Sequence, residues 1–170
     1  MDITEHILFQ HHEQRRAFAL LDEVPRHDKQ RLNAIWERLE VLLEVHAAAE
    51  ERFFYPRLLD VGTGGGGADS AASETKDAIK DHNEIRDAVQ AAGRQEVGSA
   101  GWWSAVLDAR KANGDHMAEE EREALADFRR HADLQTRHDI ALAFVTFESQ
   151  HANGIEPRNR DPGHYVDEHA

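Results

Sequence analysis

Residues 45–56 read VHAAAEERFFYP and follow the apolar run Val41, Leu42, Leu43. Within them His46 and Glu50 stand four residues apart, a spacing that puts both on one face of a helix. Leu32, Trp36, Leu39, Leu42 and Leu43 lead along the same face, so it points into a core. An imidazole and a carboxylate are costly there unless something satisfies them. The stretch therefore predicts a long core helix, from about residue 28 to Tyr55, that needs polar partners from elsewhere in the chain. Pro56 sets its end, because the residue before a proline is driven out of helical geometry.

Outward from this helix the chain reads as helices throughout. Proline is scarce, alanine, leucine, glutamate and arginine are plentiful, and no strand-like alternation of useful length occurs. A first helix covers roughly residues 2–24 and stops at Pro25. Residues 62–69, GTGGGGAD, form a connector with little capacity for order. A third helix spans about 73–92, a fourth about 102–130, and a fifth carries Ile140, Leu142, Phe144 and Phe147 up to the stop signal Asn153-Gly154. The polar tail, residues 156–170, reads as irregular. Trp102 is expected in the core and Trp103 partly at the surface. The architecture predicted is all-α: an up-down antiparallel four-helix bundle over residues 1–132, with a C-terminal helix and polar tail, residues 133–170, packing on it.

Each of the four bundle helices brings one histidine onto its apolar stripe. On the first, Thr4, Ile7 and Leu8 precede His11, and Phe18 and Leu21 follow it. On the third, Thr75, Ala78 and Ile79 precede His82, with Ile85 and Val89 after. On the fourth, Trp102, Ala105 and Ala109 lead to His116, and Glu120 comes one turn later. A lone histidine on an apolar face ordinarily rests on a backbone carbonyl. Four of them with two carboxylates are better satisfied together, by metal ions. The rise of about 6 Å between i and i+4 lets each histidine hold one ion while its carboxylate reaches toward a second. Nitrogen and oxygen ligands without sulfur suit iron or manganese and are compatible with zinc.

Composition narrows the classes further. The chain has no cysteine, which removes disulfides, thiolate ligands and thiol catalysis. A net charge of −13 argues against nucleic acid and anionic membranes as partners. No apolar run reaches membrane-spanning length and the start MDITEHILFQ lacks a secretory pattern, so a cytoplasmic location is expected. GGGG is no phosphate loop, because no Gly-Lys-Ser/Thr follows it.

Ferritin-like di-iron sites use Glu-x-x-His, whereas here the order is His46-x-x-x-Glu50 and His116-x-x-x-Glu120. With LFQHHEQRRAFALLDEV on the first helix and IKDHNEIRDAV on the third, the chain resembles the hemerythrin-like, HHE cation-binding family over about residues 1–130. The resemblance implies a bundle around two iron ions, oxo- or hydroxo-bridged, that meet O₂, peroxide or another small diatomic molecule. It assigns the metal ligands to His11, His46, Glu50, His82, His116 and Glu120. His12 rivals His11, and Glu121 rivals Glu120. Oxygen-carrying hemerythrins have a second histidine four residues after the third-helix one; here that position is Arg86. Tyr55 or His12 is the candidate to fill the vacancy, although an ideal helix turns Tyr55 away from His46. A phenolate or added carboxylate favours ferric iron, so the resemblance implies catalase-like peroxide consumption, or redox or oxygen sensing, rather than simple O₂ carriage. The alternative is an iron- or oxygen-responsive regulatory module that binds a protein partner without turnover.

Overall fold

In the computed structural model, which describes residues 1–67 and 70–170, every element among the described residues is helical. Helix α1 (Ile3–Glu23) starts where the Asp2 carboxylate accepts the Thr4 N–H, and ends ahead of Pro25. Helix α2 (Lys29–Ala49) starts on Asp28, α4 (Ala71–Gly93) on Ser70, and α5 (Ala100–Arg122) on Ser99. In each case an oxygen of the cap side chain accepts a backbone N–H that the first turn cannot use. Short connections join α1 to α2 and α4 to α5, so each pair runs antiparallel, and the four long helices make the bundle.

The bundle interior has three tiers. At one end Phe18, Leu32, Trp36, Leu39, Trp102 and Val106 form an apolar cluster. At the other, Ile3, Ile7, Phe54, Leu58, Ile79 and Phe128 form a second. Between them the buried residues are polar: His11, His46, Glu50, His82, His116 and Glu120. Helix α7 (Leu134–Gln150), capped by Asp133, lies against α1 and α2 and adds Phe144 and Phe147 to the second cluster. Among the described residues no helix is long and apolar enough to cross a membrane.

Five local expectations need revision. The second helix is not one α-helix to Tyr55: a π-helical turn occupies Glu50–Phe54, and α3 (Tyr55–Val61) continues the rod. Pro56 sits in the first turn of α3 instead of ending the helix. The Tyr55 N–H reaches back five residues to the Glu50 carbonyl, and this wider turn accommodates a residue with no N–H to give. The fourth helix breaks at Glu123 (φ −110°, ψ −80°), beyond which a separate helix α6 (Ala124–His131) begins. The glycine connector is held in place over its described part. Thr63 and Gly64 donate their N–H groups to Asp127 at 2.7 and 2.9 Å, and Gly65 donates to Glu74 at 2.6 Å. Only hydrogen fits at Gly62, where a Cβ would lie 2.5 Å from the Asp127 carboxylate. Residues 68 and 69 of the connector lie outside the described residues. The tail is not wholly irregular, because Asp161 caps a helix α8 (Pro162–His169) that buries Tyr165. Finally, Trp103 is buried like Trp102, with the Arg26 guanidinium 4.2 Å from its ring.

Candidate metal centre

The apolar stripes bring the four helix-borne histidines to one level of the bundle. The His11 and His46 rings stand 5.3 Å apart, and those of His82 and His116 4.6 Å apart. Glu50, wholly buried, lies between the two pairs. Its Oε1 is 2.9 Å from His46 Nε2 and its Oε2 3.2 Å from His82 Nε2. Glu120 Oε2 lies 3.2 Å from His11 Nε2. One nitrogen or oxygen from each of His11, His46 and Glu50 falls within 4.8 Å of the others, and the same holds for Glu50, His82 and His116. The two groups share Glu50, and each could hold a metal ion.

Close approach is not the same as satisfaction. His11 Nε2, His46 Nε2, both oxygens of Glu50 and Glu120 Oε2 are buried without a hydrogen-bond partner among the described residues. His82 Nε2 faces His116 Nε2 at 3.2 Å, nitrogen to nitrogen. Yet the outer side of three of the rings is well bonded. His11 Nδ1 donates to Glu121 (2.9 Å), His46 Nδ1 to Gln10 (2.6 Å) and His82 Nδ1 to Glu51 (3.0 Å). Native interiors rarely leave several inward polar atoms orphaned together, and an outer bond that fixes the inner lone pair is the usual arrangement around metal-bound histidine. The donor set fits hard or borderline cations.

Charge tells the same story. Burial alone would lower the basicity of His11, but Glu120 and Glu121 overcome it and raise its pKa to about 9. His82 also rises to about 9, where Glu50 and Glu51 outweigh burial. Burial acts to raise the Glu50 carboxyl, yet His46 and His82 hold it well below its ordinary range. Glu51 falls to about 2 against its burial, under the pull of His82, Arg86 and Arg160. The carboxylates thus make a cavity that draws positive charge, supplied by protons where no metal is bound.

Of the remaining candidates, Tyr55 turns inward. The π turn rotates it onto the cluster, where its hydroxyl donates to Glu120 Oε1 at 2.7 Å. Burial and the nearby Glu120 and Glu50 charges raise its pKa well above 10, so it holds its proton. Glu121 sits on the outer face of His11, also paired with Arg15 at 2.8 Å, while Glu120 takes the inner position. His12 is exposed and outside the cluster, so the structure does not bring it to the vacancy left by the missing third-helix histidine. Arg86 supplies no ligand there: its Nε donates to Glu44 at 2.8 Å and its Nη2 pairs with Glu51 at 2.8 Å.

Sequence reasoning missed the outer ring of partners. Glu51, next to Glu50, is expected on another face of an α-helix, yet within the π turn it is buried against His82, Arg86 and Arg160. Gln10 passes the His46 bond on to Glu148 of α7, which also pairs with His6 at 2.9 Å. No spacing rule links residues so far apart. A cavity of about 560 Å³ between α2 and α4, lined by Val41, Leu43, Ile85, Arg86 and Val89 among others, reaches His82. A narrower cleft lined by Asp77, Asp81, Glu119 and Glu123 reaches His116 and Glu120.

A family model for the hemerythrin HHE cation-binding domain matches residues 2–144. Neither the curated proteins nor the solved structures contain a match to the chain.

Proposed function

The chain belongs to the hemerythrin HHE cation-binding family, and from that premise we propose that it holds two iron ions and consumes peroxide or senses oxygen and redox state, rather than simply carrying O₂. The observation that carries this reading is the set of orphaned inner atoms on His11, His46, Glu50 and Glu120. His11 and His46 would hold one ion and His82 and His116 the other, with Glu50 and Glu120 as the carboxylates between them. A ferrous pair held there would supply two electrons, one from each ion, to O₂ or peroxide. Manganese or zinc would satisfy the same donors.

The protein's own groups account for the preference. Arg86, tied to Glu44 and Glu51, leaves the second position one imidazole short of the oxygen-carrier pattern. The Tyr55 phenol keeps a proton on its oxygen beside Glu120, inside an otherwise closed interior. A phenol O–H at the edge of the cluster is a hydrogen-bond donor that a reduced oxygen species could accept. Ile7, Val45, Ala49 and Ile79, all buried in the second apolar cluster, belong to the apolar interior at that end of the bundle. The carboxylates of the narrow cleft face solvent in front of His116 and would attract cations to it.

Metal analysis of protein loaded with ferrous iron should return two ions per chain, and peroxide loss by the loaded protein should fall at least tenfold in His46→Ala. Equal rates in the two proteins would discard the peroxide reading.

A further inference from the structure

The last part of the chain lies beyond the region that the family model matches, yet it reaches the centre. Asn83, one residue past His82, exchanges two hydrogen bonds with Arg160: its Nδ2 donates to the Arg160 carbonyl at 2.7 Å, and its Oδ1 accepts the Arg160 N–H at 3.0 Å. Asn159 adds a bond to Asp87 at 2.9 Å, so the segment is seated along α4. From there the Arg160 Nε donates to Glu51 Oε2 at 2.6 Å, while Glu51 Oε1 accepts from His82 Nδ1 at 3.0 Å. Tyr165, on α8, donates its hydroxyl to the backbone carbonyl of Glu51. That carbonyl needs such a partner. In the π turn its acceptor bond falls to residue 56, which is proline and has no N–H.

We propose that Arg160 and Tyr165 are positioning residues for His82: they hold Glu51 by its carboxylate and its carbonyl, and Glu51 in turn fixes the His82 ring with Nε2 bare toward the cluster. The proposal rests on the two-cation reading above and assigns the tail to one position of the two. His46 is braced by Gln10 and Glu148, and His11 by Glu121, neither through Arg160. Outer-ring partners of this kind change metal affinity by roughly ten- to a hundredfold, so loss of the Arg160 bond should weaken the His82–His116 position and spare the other.

The experiment compares the full-length chain with Arg160→Gln, Tyr165→Phe and Arg160→Lys. In the metal-free proteins, held at a pH alkaline enough to leave the imidazole rings neutral, nitrogen-15 NMR reads the tautomer of each histidine. Wild type should show His82 protonated at Nδ1 and bonded, and Arg160→Gln and Tyr165→Phe should show a mixture at His82, with His11 and His46 unmoved. In a cobalt(II) titration followed by absorption, the weaker of two binding steps should shift by tenfold or more in the same two variants while the tighter step holds. Arg160→Lys, which keeps a charge near Glu51, should recover part of the shift. Equal weakening of both steps, as general loosening of the fold would give, or an unmoved His82 tautomer, overturns the proposal. A wild-type chain that takes fewer than two ions would sink the two-cation reading instead, since the His82 tautomer is read without metal.

Discussion

At the residue scale the centre is an arrangement of buried charge that changes owner between protons and metal. His11 and His82 are each raised to about 9 by facing carboxylates. A histidine whose pKa is raised on folding stabilises the fold fully below its unfolded value near 6.5, and that contribution fades as pH climbs through about 9. The metal-free chain should therefore lose stability between about pH 6.5 and 9, in step with deprotonation of these two rings. A cation must displace the same protons, because a ligating nitrogen has to be bare. At pH 7.5 metal binding should release close to two protons, and affinity should fall as the solution is acidified. Calorimetric titration with zinc in buffers of different ionisation heat counts them. Release of well under one proton would mean that the rings are neutral in the metal-free state, and that the carboxylates do not face them as described. The four histidines and their two i+4 carboxylates were legible in the sequence because helical spacing alone brings them to one face. The outer place of Glu121 was not, since about 100° of helix rotation separates it from Glu120 and no spacing names the outer side of His11 as its partner.

At the scale of elements, the π turn after α2 does more to shape the centre than any other irregularity. Nine residues of ideal helix place Tyr55 about half a turn from His46, facing away. The extra width of Glu50–Phe54 brings it back, so that Tyr55 lies in the core with its hydroxyl on Glu120. Pro56 marks the place in the sequence, but it reads equally well as a helix end. The distinction depends on whether α3 can pack: Leu58 is fully buried against the second apolar cluster, and that contact carries the helix through. The consequence is measurable in Tyr55→Phe. Removing the hydroxyl leaves Glu120 Oε1 buried without its donor, which costs about 1–3 kcal/mol. Urea unfolding of the metal-free variant should show that loss with unchanged helical circular dichroism. Unaltered stability would place the Tyr55 hydroxyl somewhere other than on Glu120. The glycine connector and α8 escaped the sequence for a related reason. Each is ordered by distant polar groups, Asp127 and Glu74 for Thr63–Gly65 and Asn83, Asp87 and Glu51 for the tail, and a polar segment carries no periodicity that names its partner.

Across the whole molecule, the bundle is two apolar cores separated by a polar tier. The cores were legible because their stripes are regular and long. The tier's dependence on α7 and the tail was not, because Glu148 and Arg160 act across more than 100 residues of chain. This layout sets how metal and stability must be linked. Each core can pack without cations, since its contacts are apolar and local to one end. Without cations the tier depends on protons held between its histidines and carboxylates, and the facing atoms of His11, His46, Glu50 and Glu120 have no hydrogen-bond partner outside it among the described residues. Each cation that binds the folded chain but not the unfolded one adds about 2.7 kcal/mol at a free concentration one hundred times its dissociation constant. For a chain of this size that corresponds to a rise in melting temperature of roughly 5–10 °C. Differential scanning calorimetry should show this rise on loading and its full reversal on adding a chelator, with one transition throughout, because both cores border the tier. Two separate transitions in the metal-free protein would mean that the ends of the bundle unfold independently. Identical midpoints with and without metal would mean that the buried tier is satisfied by something other than cations.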